Sequence, residues 1–218
     1  MEALLVEQSN TDQAISLRAA LEQGGFHVTL VHNERDFAYE ISAYWPNCVV
    51  VKPAETLGIA ELKKTLDNTE LAIPFIVIGK KLDNPPYDGN NVAFVDPVKS
   101  SDLSRSITRL VGSQKNRFFR LPDLTIDYHR QAMLRRGEMF TFTPKLFKLL
   151  DLFISHQNQV IGRKTIMKVI WETEYMGDTR TLDVHIRWLR EKIEENPSKP
   201  KYLITVRGVG YCFMPTPG

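Results

Sequence analysis

The chain has 218 residues, 43% of them hydrophobic and 25% charged, which is room for two globular domains of roughly 100–150 residues each. No apolar run reaches the roughly 18 residues that a membrane span needs. No basic-then-apolar leader opens the sequence, so a cytoplasmic protein is expected. The net charge of +2 hides a division: residues 1–116 hold 11 Lys+Arg against 15 Asp+Glu, and residues 117–218 hold 17 against 11. The basic second half leans toward a polyanionic partner.

The first half alternates β-branched runs with helical patterns. Strands are predicted at Ala3–Val6, Phe26–Val31, Cys48–Val51, Phe75–Ile78 and Val92–Val95. Helices are predicted at Asp12–Gln23, Glu34–Trp45, Ile59–Asn68 and Asp102–Val111, with Thr11, Asn33 and Ser101 in N-cap positions. This alternation predicts an α/β doubly wound domain, a parallel sheet covered on both faces. Between the last two strands, Gly79–Asn91 carries Pro85-Pro86 and Asp88-Gly89, which is turn chemistry rather than helix.

Polar residues 113–117 are placed as the linker, which divides the chain into a domain at 1–112 and another at 118–218. The second domain opens with short strands at Phe118–Leu121, Leu124–Tyr128, Ala132–Arg135 and Met139–Phe142, with Arg136-Gly137 as a hairpin turn. Thr143 before Pro144 starts a helix whose Leu146, Leu149, Leu150 and Phe153 form one face. Helices follow at Arg163–Trp171 and Arg180–Glu194. A hairpin, Tyr202–Val206 and Tyr211–Met214, turns through Arg207-Gly208-Val209-Gly210. The expected class is an α+β winged helix-turn-helix.

Cys48 and Cys212 lie in apolar stretches of different halves, which excludes a disulfide framework or a zinc cluster. No nucleophile–base pairing or phosphate loop is present, so neither enzymatic activity nor a cofactor is expected.

The third helix of the second domain has two faces. Leu182, Ile186, Leu189 and Ile193 form a core stripe. Arg180, Val184, Arg187, Trp188 and Glu191 form the opposite one, flanked by Thr181, His185 and Arg190. A helix of this length fits a major groove, where Arg pairs with guanine and Val touches a thymine methyl. By pattern alone, an exposed helix decorated with charges fits equally. Its place after two short helices and before a glycine-tipped hairpin favours a helix-turn-helix with a wing. Arg207 at the wing tip suits a minor groove or a phosphate.

At these residues the chain resembles the OmpR/PhoB response regulators. Thr179–Arg190 and Thr205–Tyr211 are similar to that family's effector signature, as are Phe142-Thr143-Pro144, Phe147–Leu150 and Val169-Ile170-Trp171. The resemblance implies double-stranded DNA contacts from Arg180, Thr181, Val184, His185, Arg187, Arg190, Thr205, Arg207 and Tyr211. It also implies that Glu172, Thr173, Glu174, Tyr175, Met176, Gly177 and Asp178 form a loop that meets RNA polymerase in activators. Trp188 and Glu191 stand where the family usually has Arg and Lys. Trp188 is therefore left with two placements, toward DNA or toward the core.

The first half resembles the family's receiver without its chemistry, which makes it a degenerate receiver (pseudo-receiver). Lys52 stands where the phospho-accepting aspartate belongs, and an ammonium forms no acyl phosphate. Glu7-Gln8 replaces an acidic pair that holds magnesium, Gly79 the switch Thr, and Asp96 the pocket Lys. Lys52 and Asp96 are expected to pair, with Glu7 nearby. The reading is a sequence-specific transcription regulator independent of aspartyl phosphorylation, a homodimer through its N-terminal domain. The alternative is a protein-interaction adaptor with a weakened DNA-binding domain.

Overall fold

The computed structural model describes residues 1–7, 12–53, 58–79, 91–95, 100–112, 116–173 and 180–215. Outside them lie Gln8, Asp96 and Glu174–Asp178, together with Thr11, Pro85-Pro86, Asp88-Gly89 and most of the expected linker. The chain divides into two compact units, Met1–Phe119 with Arg136–Glu138, and Arg120–Arg135 with Met139–Gly218. The first unit extends past the boundary placed at residue 112. Arg117, 3% exposed, fastens that extension by donating to the Ala72 carbonyl at 3.3 Å.

In the first unit, β1 (Glu2–Val6), β2 (His27–Val31), β3 (Cys48–Val51), β4 (Phe75–Ile78) and β5 (Val92–Val95) form one sheet of order β2-β1-β3-β4-β5. Every pairing is parallel, Ala3 opposite both Val28 and Cys48. Parallel strands buried on both faces read as unbroken apolar runs, as Cys48–Val51 and Phe75–Ile78 do. Helices α1 (Asp12–Gln23) and α4 (Ser100–Val111) pack together. Leu17, Leu21, Ile107 and Val111 lie with Ala3, Leu5, Cys48, Val50 and Ile76 in one core. The alternate residues Leu4, Val6, Val49, Val51 and Val77 are buried too. Helices α2 (Glu34–Ala43) and α3 (Ile59–Asn68) pack together and bury Phe37, Ile41, Leu62 and Leu66.

Two helix boundaries differ from the sequence reading. α2 stops at Ala43 rather than Trp45, because Tyr44 turns extended two residues before Pro46 and Trp45 is restricted by the proline that follows it. α4 begins at Ser100, which places Ser101 inside the helix instead of at its cap. Asn33 does cap α2, its Oδ1 accepting from the Asp36 amide at 2.9 Å.

Strands β6 (Phe118–Leu121), β7 (Leu124–Asp127), β8 (Ala132–Arg135) and β9 (Glu138–Thr141) follow in chain order across a four-stranded sheet. The β8–β9 turn places both Arg136 (φ 53°) and Gly137 (φ 80°) in the left-handed region, as a two-residue hairpin turn requires. Helix α5 (Pro144–Ser155) is capped by Thr143 and buries Leu146, Leu149, Leu150 and Phe153. Helix α6 (Arg163–Trp171) and helix α7 (Arg180–Ile193) complete the helical set.

The wing holds one strand that the sequence reading lacks. β10 (Val160–Gly162) pairs antiparallel with β12 (Gly210–Phe213), which also pairs with β11 (Leu203–Val206). Three residues are too few to show alternation. The signal lay in Gly210, where an added Cβ would meet the Ile161 carbonyl oxygen at 2.0 Å.

Candidate nucleic-acid interface

Helix α7 divides as its periodicity requires. Leu182, Ile186, Leu189 and Ile193 are buried, while Arg180, Thr181, Val184, Arg187 and Trp188 are exposed. The exposed stripe lies opposite the core stripe at helical spacing, so packing against α5 fixes which side chains face outward. Thr205 and Arg207 are exposed on the wing, with Gly208 at φ 75° beside Arg207.

Trp188 resolves to the outer side, 48% exposed. Its ring leans on His185 at 5.0 Å between centroids, and His185 meets Trp171 edge-on at 5.0 Å. His185 is half-buried, and its Nδ1 donates to the Thr181 carbonyl at 2.8 Å. Three rings from α6 and α7 thus make a continuous aromatic ridge.

Arg190 and Tyr211 depart from the expectation that each reaches out to DNA. Arg190 is half-buried, its Nε and Nη2 donating to the Leu203 carbonyl at 3.0 and 2.7 Å, and Nη2 to the Thr205 hydroxyl at 2.7 Å. Burial holds its guanidinium pKa below the usual arginine range. Tyr211 is 5% exposed, and its hydroxyl donates to Asp183 at 2.9 Å while accepting from Arg163 at 2.8 Å. Both residues tie the recognition helix to the wing.

Arg163, at the start of α6, is a residue that the sequence reading missed. It binds Asp183 bidentately at 2.8 and 3.0 Å. That hydrogen bonding raises the Arg163 pKa and, from the other side, holds the Asp183 carboxyl below the usual carboxylate range. Glu194, one residue past α7, is buried and accepts from the amides of Lys201, Tyr202 and Leu203 at 2.7 to 3.2 Å. The helix is thereby anchored to the wing at both ends. Of the loop after α6, Glu172 has a left-handed backbone (φ 56°) and pairs loosely with Lys148 at 3.8 Å. Thr173 is half-buried.

At the C-terminal edge of the first unit's sheet, β1 and β3 are neighbours and bring Glu7 and Lys52 together. The ammonium donates to Glu7 Oε1 at 2.7 Å, with Glu7 3% and Lys52 25% exposed at the side chain. Glu7 Oε2 is buried without a hydrogen-bond partner among the described residues. Gly79 ends β4 with its amide on the Val95 carbonyl at 2.9 Å. Burial pushes the Cys48 thiol up to about 12, which leaves it inert. Among the described residues, no group of three or more His, Cys, Asp or Glu is placed to hold a metal, and no helix is long and apolar enough to cross a membrane.

Two helices, a third presenting an arginine stripe, and a glycine-tipped hairpin define a winged helix-turn-helix, joined to a doubly wound α/β unit. Residues 137–213 match the family described as "Transcriptional regulatory protein, C terminal". A probable transcriptional regulatory protein of Picosynechococcus is 44% identical over 99 residues, 45% of this chain and 39% of its own. The alkaline phosphatase synthesis transcriptional regulatory protein SphR of Synechococcus elongatus is 58% identical over 71 residues, 33% of this chain and 28% of its own. These matches therefore span well under half of each relative's length. Among solved structures, the RstA DNA-binding domain of Klebsiella pneumoniae in complex with the RstA box is 30% identical, covers 46% of this chain and all of that one, with TM-score 0.43. DrrB of Thermotoga maritima, an OmpR/PhoB homologue, is 20% identical and covers 98% of each chain, with TM-score 0.42.

Proposed function

We propose that this chain is a sequence-specific regulator of transcription that binds double-stranded DNA and acts independently of aspartyl phosphorylation. The observation that carries the reading is the outer stripe of α7, Arg180, Val184 and Arg187, all exposed, in a domain whose wing ends in exposed Arg207. The helix supplies donors and an apolar contact for base edges, and the wing supplies a cation for a groove or a phosphate. Independence from phosphorylation rests on Lys52. An ammonium already bonded to Glu7 offers neither a phosphate acceptor nor a place for a divalent cation.

A homodimer through the first unit fits this reading, since paired half-sites multiply modest affinities. Contact with RNA polymerase through residues 172–178 is the further partner proposed. The test is selection of genomic fragments by the unmodified full chain at physiological salt, with and without a small phosphodonor. Enrichment of a spaced repeat, unchanged by the donor, is the expected result. No enrichment in either arm favours the adaptor reading. Enrichment that needs the donor overturns the role given to Lys52.

A further inference from the structure

We infer that Arg187 and Glu191 act as a preset pair for reading one guanine in each half-site, with Glu191 as the positioning residue. The inference rests on the DNA-binding reading above and names the base that this part of the helix selects. The two residues are one turn apart on α7, and the Arg187 Nε donates to Glu191 Oε1 at 2.9 Å. Both are well exposed, 78% and 46% at the side chain. With the buried stripe at Leu182, Ile186, Leu189 and Ile193, the outermost positions are Arg180, Val184, Arg187 and Glu191. The pair therefore sits on the outward stripe of the helix, opposite its buried face.

The geometry of the contact matters more than its strength. An exposed i,i+4 ion pair contributes little in water. Here the carboxylate takes only the Nε hydrogen. Among the described residues the two terminal nitrogens of Arg187 have no hydrogen-bond partner. Their parallel N–H groups match guanine O6 and N7, both acceptors. Adenine sets an N6–H₂ donor against the same fork and is refused. A guanidinium already held at one edge loses less rotamer freedom on binding. Moving the pair out of water also strengthens it. Away from its guanine, Glu191 faces phosphate charge, so misplaced complexes are penalised while the matched one is not.

The experiment is selection from random duplexes by the full chain and by the variants Arg187→Ala, Glu191→Ala and Glu191→Gln, with thermal melts to confirm folding. The unmodified chain is expected to show one guanine position per half-site that disappears in Arg187→Ala. Glu191→Ala is expected to lose about tenfold discrimination at that position alone, the worth of a good base contact. Glu191→Gln, whose amide oxygen still accepts from Nε, keeps most of it. If Glu191→Ala tightens binding to all sequences alike and leaves the guanine in place, Glu191 is only a charge and the inference is overturned. A guanine preference that survives Arg187→Ala overturns it as well. Absence of any enrichment by the unmodified chain overturns the DNA-binding reading itself, a distinguishable result.

Discussion

Arg190 gives two of its nitrogens to the carbonyl of Leu203, at 3.0 and 2.7 Å, and so binds the recognition helix to the first residue of strand β11. The same guanidinium holds the Thr205 hydroxyl at 2.7 Å. An arginine that the family pattern assigns to DNA is here a brace within the domain.

The brace and the exposed wing-tip arginine separate by measurement. Arg190→Ala strips the partner from the carbonyl of buried Leu203 and is expected to cost about 2 kcal/mol of domain stability. Arg207→Ala, exposed at the wing tip, is expected to leave the melt unchanged. It should weaken DNA binding and flatten the salt dependence by about one charge. Denaturation and salt titration of both variants check this. Equal stability losses would remove the distinction.

Lys52 covers a buried acid. With Glu7 at 3% exposure, removal of the ammonium leaves a carboxylate in the apolar edge of the sheet. Lys52→Ala is expected to destabilise the first unit by about 2 kcal/mol, more than an exposed lysine change would. Pairing it with Glu7→Gln should recover most of that loss, because the uncompensated charge disappears. A denaturation cycle over the two singles and the double measures the coupling. Additive losses would mean the contact is incidental.

What the sequence disclosed follows the physics of periodic signals. Val49–Val51 and Phe75–Ile78 are apolar throughout, which is how strands covered on both faces read, and the parallel sheet was legible from them, though not its strand order. The stripe of Leu182, Ile186, Leu189 and Ile193 was legible for the same reason. β10 was not, because three residues cannot display a period and its partner is 50 residues away, Ile161 facing Tyr211. Nor was the inward role of Tyr211 and Arg190. An arginine or tyrosine beside a groove has the same letter whether it reaches DNA or a neighbouring strand. The decisive partners, Arg163 and Leu203, come from other elements. The Glu7–Lys52 contact is likewise a product of β1 and β3 lying side by side.

Trp188 adds a ring to the exposed side of α7 where the family resemblance has a cation. Being 48% exposed and tilted against the His185 ring, it can be exchanged without opening the core. Trp188→Arg is expected to strengthen binding to arbitrary duplexes and to steepen the log–log salt slope by about one unit, the signature of one more neutralised phosphate. Titration of a non-specific duplex from low to physiological salt reads the slope. An unchanged slope would place position 188 away from the phosphates.

Asp183 links recognition helix and wing to pH. Its carboxyl is held below the usual carboxylate range first by the hydrogen bond from Arg163, with the Tyr211 hydroxyl adding to it and partial burial opposing both. A folded-state pKa lower than the unfolded one, about 3.9, means the folded form keeps the ionised carboxylate more readily. Its contribution to stability is therefore fully present above about pH 5, where both states are ionised. It fades as pH falls through the depressed folded value, where both states are protonated. Asp183→Asn should accordingly be less stable than the unmodified chain at neutral pH, by a modest margin because the group is about half exposed to solvent, 53% at the side chain. The margin should close as pH drops below about 4. Urea denaturation of the second unit's transition at pH 7, 5 and 3.5 measures it. A margin that stays constant across this range would assign the loss to packing rather than to charge. The variant also leaves the charge of Arg163, 29% exposed at the side chain, without its carboxylate counter-charge at Asp183. A gain in non-specific DNA affinity accompanying the stability loss would show that Asp183 restrains that arginine as well as anchoring the helix.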